Sequence, residues 1–191
     1  MRTTLFALAA AGLFASVAQA APATYAIDPT HTFATFEIDH MGATTNRARF
    51  DKKQGTVEFD RAGKTGKVEV TLDMTSVNSG TPNFDKHLQS ADIFNAAKFP
   101  TAKFVSDKFV FDGDKLKEVT GQLTLLDKTQ PVTFKANKFN CYPSPMLQKR
   151  EVCGGDFEAT IDRTAFGLDY GVNFGASKQV RLVLQIEAVK Q

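Results

Sequence analysis

Residues 179–189 read QVRLVLQIEAV. In an extended chain Val180, Leu182, Leu184, Ile186 and Ala188 share one side, while Arg181, Gln185 and Glu187 lie on the other. A period of two with one apolar side is the signature of a strand buried on one face and wet on the other, as in antiparallel sheets. The same alternation recurs. It puts Ala34, Phe36, Ile38 and His40 together in 33–40, Val57 and Phe59 in 55–59, and Val68, Val70, Leu72 and Met74 in 67–74. Ala102, Phe104 and Ser106 follow, then Val119, Gly121, Leu123 and Leu125. Val132, Phe134 and Ala136, and finally Phe157, Ala159 and Ile161, complete the set. The chain is therefore expected to be all-β, with about eight amphipathic strands forming a closed barrel or a two-sheet sandwich. DRAGKTG at 60–66 and FDGDK at 111–115 mark turns between neighbouring strands.

One segment breaks the alternation. Residues 82–100 read PNFDKHLQSADIFNAAKFP. Thr81 suits a helix N-cap and Pro82 its first turn. Phe84 and Leu88 fall one helical turn apart, and Pro100 forbids continuation. A short helical segment over about 82–95 is expected to close one end of the barrel, with Phe84, Leu88, Ile93 and Phe94 turned inward and Asp85, Lys86, Gln89 and Asn95 outward.

The chain begins MRTTLFALAAAGLFASVAQA, with Arg2, a short apolar run and Ala-Gln-Ala at 18–20. This reads as a cleavable secretory signal over 1–20, and the run is short for a bilayer-spanning anchor. Removing 20 of 191 residues leaves 171, enough for one domain, 21–191, with its own core. Removing Arg2 leaves 22 basic against 21 acidic side chains, a balance that predicts no attraction to nucleic acid. Export to an oxidising compartment also makes a disulfide the natural state of the two cysteines, Cys141 and Cys153. Redox pairs usually stand closer, as C-x-x-C.

Without residues 6 and 14 of the leader, 15 of the 17 Phe remain, and many fall on the apolar faces. Ala34, Ala102, Gly121, Ala136 and Ala159 would leave gaps between them. Such an interior suits either a flexible hydrocarbon or an ordinary packed core. His40 and Arg163 share the inward parity and stand where a polar head group, or only water, would meet them. The sequence holds no paired metal-ligand motif, nucleophile elbow or phosphate loop. A hydrolase triad drawn from Ser76, Ser79 or Ser90 with His87 and Asp85 would rest on sequence proximity alone, so no enzyme, metal or cofactor is expected. Glu37, Asp39, Glu58, Glu69, Asp73, Lys103, Lys135, Glu158 and Glu187 occupy the opposite face. That polar exterior argues against a membrane-integral barrel.

Several phrases in order carry a resemblance: YAIDPTHTFATFEIDHMG, GTVEFD, TSVNSGTPNFDKHLQSADIFNAAKFPTAKFVS, VTGQLTLLDKTQPVTF and IDRTAFGL. From Tyr25 to Val189 the chain resembles the YceI family of exported, lipocalin-like proteins. The resemblance implies an eight-stranded antiparallel barrel with a helical segment near one end and a long pocket for a polyisoprenoid, such as a polyprenyl phosphate or the tail of a quinone. The expected ligand-contacting residues on the strands are Phe36, Ile38, Phe59, Leu72, Phe104, Gly121, Leu123, Phe134 and Leu184. At the mouth they are His40, His87, Phe94 and Arg163. A bulky residue at Gly121 should then block the pocket of a folded protein. The family usually has a basic residue at Phe84, glycine at Asp127 and often a basic residue at Gln130, departures that would favour a neutral head group. The Cys141–Cys153 loop is not a general family feature. The reading is a periplasmic protein that carries or sequesters a long isoprenoid or similar amphiphile. The alternative is an exported interaction or stress protein with a filled core. Homodimerisation is left open.

Overall fold

The computed structural model describes residues 22–191, so the expected signal over 1–20 lies outside the described residues. Its strands are β1 (Ala23–Ile27), β2 (Phe33–His40), β3 (Thr44–Phe50), β4 (Lys53–Asp60), β5 (Thr65–Asp73) and β6 (Val77–Asn78), followed by helix α1 (Pro82–Gln89). Then come β7 (Thr101–Asp112), β8 (Lys115–Leu125), β9 (Lys128–Pro143), β10 (Glu151–Asp162) and β11 (Gln179–Lys190). Neighbours run β1-β4-β5-β7-β8-β9-β10-β11, and β11 pairs back to β1, closing the barrel. Every pairing is antiparallel, as the period of two requires. β11 meets β1 at Ala188–Lys190 and β2 at Val180–Gln185, so β1 and β2 act as one bent stave. β3 and β4 form another, since β3 pairs β2 and β4 pairs β1. That makes eight staves.

Strand direction sorts the connections into two ends. The turn at 41–43, residues 74–100, the turn at 126–127 and the loop 163–178 gather at a mouth. The turns at 61–64, 113–114 and 144–150 gather at a floor. The outer face is charged. Glu37 accepts from Arg47 (2.9 Å) and Arg181 (2.8 Å), Arg181 also reaches Glu158 (2.6 Å), and Lys103 pairs with Glu69 (2.6 Å). Among the described residues no helix is long and apolar enough to cross a membrane.

The floor is packed. Phe59 stacks on Phe111 (6.3 Å between centroids, 11° between planes) and meets Phe139 edge-on at 5.7 Å. The Phe109 ring lies where a Cβ on Gly66 would stand, so glycine there makes room for it. Cys141 and Cys153 oppose each other on β9 and β10 and are joined, with Cα atoms 4.0 Å apart. Cys153 is buried with Tyr25, Phe59 and Ala188, so the bridge belongs to the floor, while only the hairpin tip beyond it is exposed. Tyr25 donates to Glu151 at 2.6 Å, and burial, followed by that carboxylate, pushes its pKa up.

The inward parity switches along several staves. Inward residues are even-numbered at Ala34 and Phe36 but odd at Tyr25 and Ile27, and even at Ala48 and Phe50 but odd at Phe59. β7 and β9 each carry a register shift, near Asp107 and opposite Asp156–Phe157. Inward residues accordingly pass from Phe104 to Phe109 and from Phe134 to Phe139. A bulge inserts one residue and turns every later side chain over. The bulges thus place three floor aromatics that alternation alone would face to water.

Candidate functional site

Helix α1 forms where expected but is shorter, ending at Gln89, because the Ser90 backbone is extended (ψ 168°). Tight turns then carry the chain to Phe99, with Asn95 in the left-handed region (φ 43°). Thr81 caps the helix through its carbonyl, which accepts from the Phe84 and Asp85 amides, and its side chain makes no cap bond. Asp85 anchors the helix to the preceding turn, accepting from the Ser79 amide and hydroxyl, both at 2.6 Å. Leu88, Phe94 and Ala96 are buried. Phe94 meets Phe36 edge-on at 5.8 Å and Phe50 at 5.9 Å, which ties this lid to β2 and β3.

Beneath the lid lies a cavity of about 700 Å³, within the range of roughly 300–1,000 Å³ typical of ligand pockets. Phe36 and Ile38 line it from β2, Leu72 from β5, Phe104 from β7, Leu123 from β8, Phe134 from β9, and Leu182 and Leu184 from β11. Phe104 and Phe134 meet edge-on at 5.1 Å. Phe84, Leu88, Ile93 and Phe94 line it from the lid. His40, Met41, His87, Tyr170 and Phe174 surround the opening.

Of the thirteen residues expected from sequence to contact a ligand, eleven border this cavity. Phe59 and Gly121 do not. Phe59 belongs to the floor, beyond the packed rings. A Cβ on Gly121 would meet the Val105 carbonyl, Ser106 Cα (2.6 Å) and Phe104 Cζ (2.7 Å). Gly121 therefore lets the bulged β7 approach β8, and the expectation that a large residue there blocks a folded pocket is corrected: it would collide with backbone. Sequence reading passed over Met41, Tyr170 and Phe174, which lie in loops where alternation gives no signal.

Arg163 is buried, and three of its five N–H groups bond to backbone carbonyls of the fold. Nε donates to the Ser177 carbonyl (2.7 Å), Nη1 to Leu168 (2.9 Å) and Nη2 to Tyr170 (2.9 Å). It staples the loop 163–178 over the barrel end, and burial pushes its pKa down. Two further cations border the cavity. Lys103 pairs with Glu69, and Lys53 lies over the Phe33 ring (5.1 Å) and donates to the Asp51 carbonyl. His87 meets Tyr170 edge-on at 5.2 Å. No serine hydroxyl bonds to His87 among the described residues. Ser79 donates to Asp85, Ser76 to the Asp73 carbonyl, and Ser90 Oγ is buried without a partner. The described residues contain no cluster of three or more His, Cys, Asp or Glu able to hold a metal ion. The cavity can exclude water and bury apolar surface.

A family model described as a YceI-like domain matches residues 25–188. Among curated proteins, Protein YceI of Escherichia coli O157:H7 is 37% identical, with both chains covered in full. A UPF0312 protein of Pseudomonas aeruginosa LESB58 is 35% identical over the same extent. Among solved structures, Burkholderia cenocepacia BcnA superposes with a TM-score of 0.68 at 21% identity, covering 84% of this chain and 98% of that one. A polyisoprenoid binding domain from Saccharophagus degradans superposes with a TM-score of 0.62 at 14% identity, covering 89% and 99%. At these identities the likeness is one of fold.

Proposed function

We propose that this chain, which belongs to the YceI-like domain family, binds a long isoprenoid or similar amphiphilic lipid inside the barrel and carries or sequesters it in the periplasm. The observation that carries the reading is the apolar cavity beneath the lid. Each buried CH₂ contributes about 0.8 kcal/mol, so a long chain binds well with few polar contacts. The name of the Saccharophagus degradans domain, a polyisoprenoid binding domain, points the same way. A quinone tail fits better than a polyprenyl phosphate. Phe84 stands on the lid where the family resemblance implies a basic residue, and each of the three cations bordering the cavity already has a partner in the protein. The role is binding and not catalysis.

The apolar leader over 1–20 and the Cys141–Cys153 bridge support export. Mass spectrometry of protein recovered from a periplasmic extract tests the whole reading. Under denaturing conditions the mass should correspond to residues 21–191 with two hydrogens lost to the bridge. Under native conditions it should carry one lipid of defined mass, and protein that is empty in every preparation would overturn the reading.

A further inference from the structure

The mouth differs from the rest of the surface in two ways. Among the described residues, three of the five exposed large apolar side chains gather there: Phe174 at 81% exposure, Met41 at 55% and Tyr170 at 51%. All three border the cavity opening. The stretches that carry them are also uncharged, between Asp39 and Arg47 and between Asp169 and Lys178. Residues 41–46 read MGATTN and residues 170–177 read YGVNFGAS, without a single Asp, Glu, Lys or Arg. The floor turns contrast: Arg61 and Lys64, Asp114, and Lys149 and Arg150 occupy them. The two stretches lie side by side, since a Cβ on Gly175 would be 3.6 Å from Met41 Cε. Met41 itself is held in the left-handed region (φ 60°), in a turn where Asp39 accepts from the Gly42 amide at 2.7 Å. Methionine rarely adopts that conformation, and here it leaves the side chain exposed at the rim.

We infer that this rim is a membrane-docking surface, with Phe174 and Met41 entering the outer layer of a bilayer and Tyr170 at its polar boundary. The inference rests on the proposed lipid binding and extends it to where the chain is taken up. A long apolar chain leaves a bilayer without crossing water only if the receiving cavity opens onto the membrane. Here the apolar rim is continuous with the cavity lining. With Asp39 the acidic residue beside Met41 and no basic cluster on these two stretches, binding should depend on apolar burial and not on anionic lipid or low salt. A second copy of the chain, mouth to mouth, is the competing occupant.

The natural chain contains no Trp, so single tryptophans serve as unambiguous probes. The test uses residues 22–191, within which the barrel closes on itself through β1 and β11. Phe174→Trp marks the mouth, and Met146→Trp, at a residue 88% exposed on the floor hairpin, marks the opposite end. With phosphatidylcholine vesicles, Phe174→Trp emission should shift to the blue and be quenched by lipids brominated on their chains, while Met146→Trp should not change. The shift should be the same at low and high salt and without phosphatidylglycerol. Adding Met41→Ser to the Phe174→Trp protein should lower vesicle partitioning at least about tenfold. No shift, equal shifts at both ends, or a shift that follows protein concentration without vesicles would each overturn the inference, the last in favour of a second copy. A protein that carries lipid by native mass yet ignores vesicles overturns docking and leaves lipid binding standing.

Discussion

The mouth half and the floor half of the barrel are built by the same strands, and both are rich in Phe, yet one is hollow and the other solid. In the floor, Phe59, Phe109, Phe111 and Phe139 converge on one another, and the Cys141–Cys153 bridge and Tyr25 fill what remains. In the mouth, Phe36, Phe50 and Phe94 pack against one wall, Phe104 and Phe134 pair on another, and Ala34 and Ala102 leave space between. Residue type therefore does not decide whether a barrel interior is full. The direction of each ring and the bulges that set it do.

If the floor is a structural plug and the mouth a binding site, substitutions should separate stability from lipid affinity. Gly121→Phe stands outside this division and should have the largest effect. It drives a side chain into the β7 backbone, at a cost above about 4 kcal/mol, so soluble yield should collapse. A folded protein with normal melting would show that β7 can move away. Phe59→Ala should cost about 3–5 kcal/mol, as for other buried aromatics, and leave lipid affinity unchanged. A parallel loss of affinity would mean that the floor is part of the site.

Replacing both Cys141 and Cys153 by Ala should cost about 3 kcal/mol in the chain-entropy model for a loop of this size. Chemical denaturation with and without reductant measures it, and affinity should again hold. Leu123→Trp, in the mouth, should do the reverse. It fills the cavity, lowers affinity about tenfold or more, and shifts the melting point little, because the ring replaces empty space.

The smallest effect belongs to the junction of the halves, where residues 28–32 link β1 and β2. His31 donates to Asp28 at 2.7 Å on the surface. Burial alone would raise the Asp28 pKa, but hydrogen bonds from His31 and Thr30 outweigh it and hold the group at about 2, against an ordinary 3.8. Bonding to Asp28 raises the His31 pKa above its ordinary 6.5. The Asp28 contribution is present above 3.8 and lost as pH falls toward 2. The His31 contribution is present below 6.5 and lost as pH rises through its raised value. The pair therefore helps most between those two ordinary values. Proton NMR should find His31 titrating above 6.5, while His31→Ala should leave the melting curve unmoved, since exposed pairs contribute little. A His31 that titrates below 6.5 would contradict the contact.

The strand walls of the mouth half were more legible in the sequence than the aromatic floor, for one physical reason. Alternation reports the inward face only while register is kept. Along β2, β5, β8, β10 and β11 the residues expected inward are buried or half-buried, except His40, which is exposed at the end of β2. Beyond the bulges of β7 and β9 the parity turns over, so Phe109, Phe111 and Phe139 went unassigned, and Phe59 was placed with the wrong neighbours. β3 was missed because Thr44, Thr45 and Arg47 at its upper end are exposed and polar, leaving only Ala48 and Phe50 as apolar inward positions. Arg163 shares the inward parity, where a head group or water was expected to meet it, but its three carbonyl partners come from a loop that folds back over it and cannot be seen in a linear pattern.

A crystal structure of residues 22–191 grown with a long-chain isoprenoid quinone tests the central claim most directly. The account predicts continuous density for the chain among Phe36, Phe94, Leu123 and Phe134, ending above an unmoved Phe59–Phe111 stack. An interior left empty at saturating ligand, or a chain that displaces the floor rings, would contradict it.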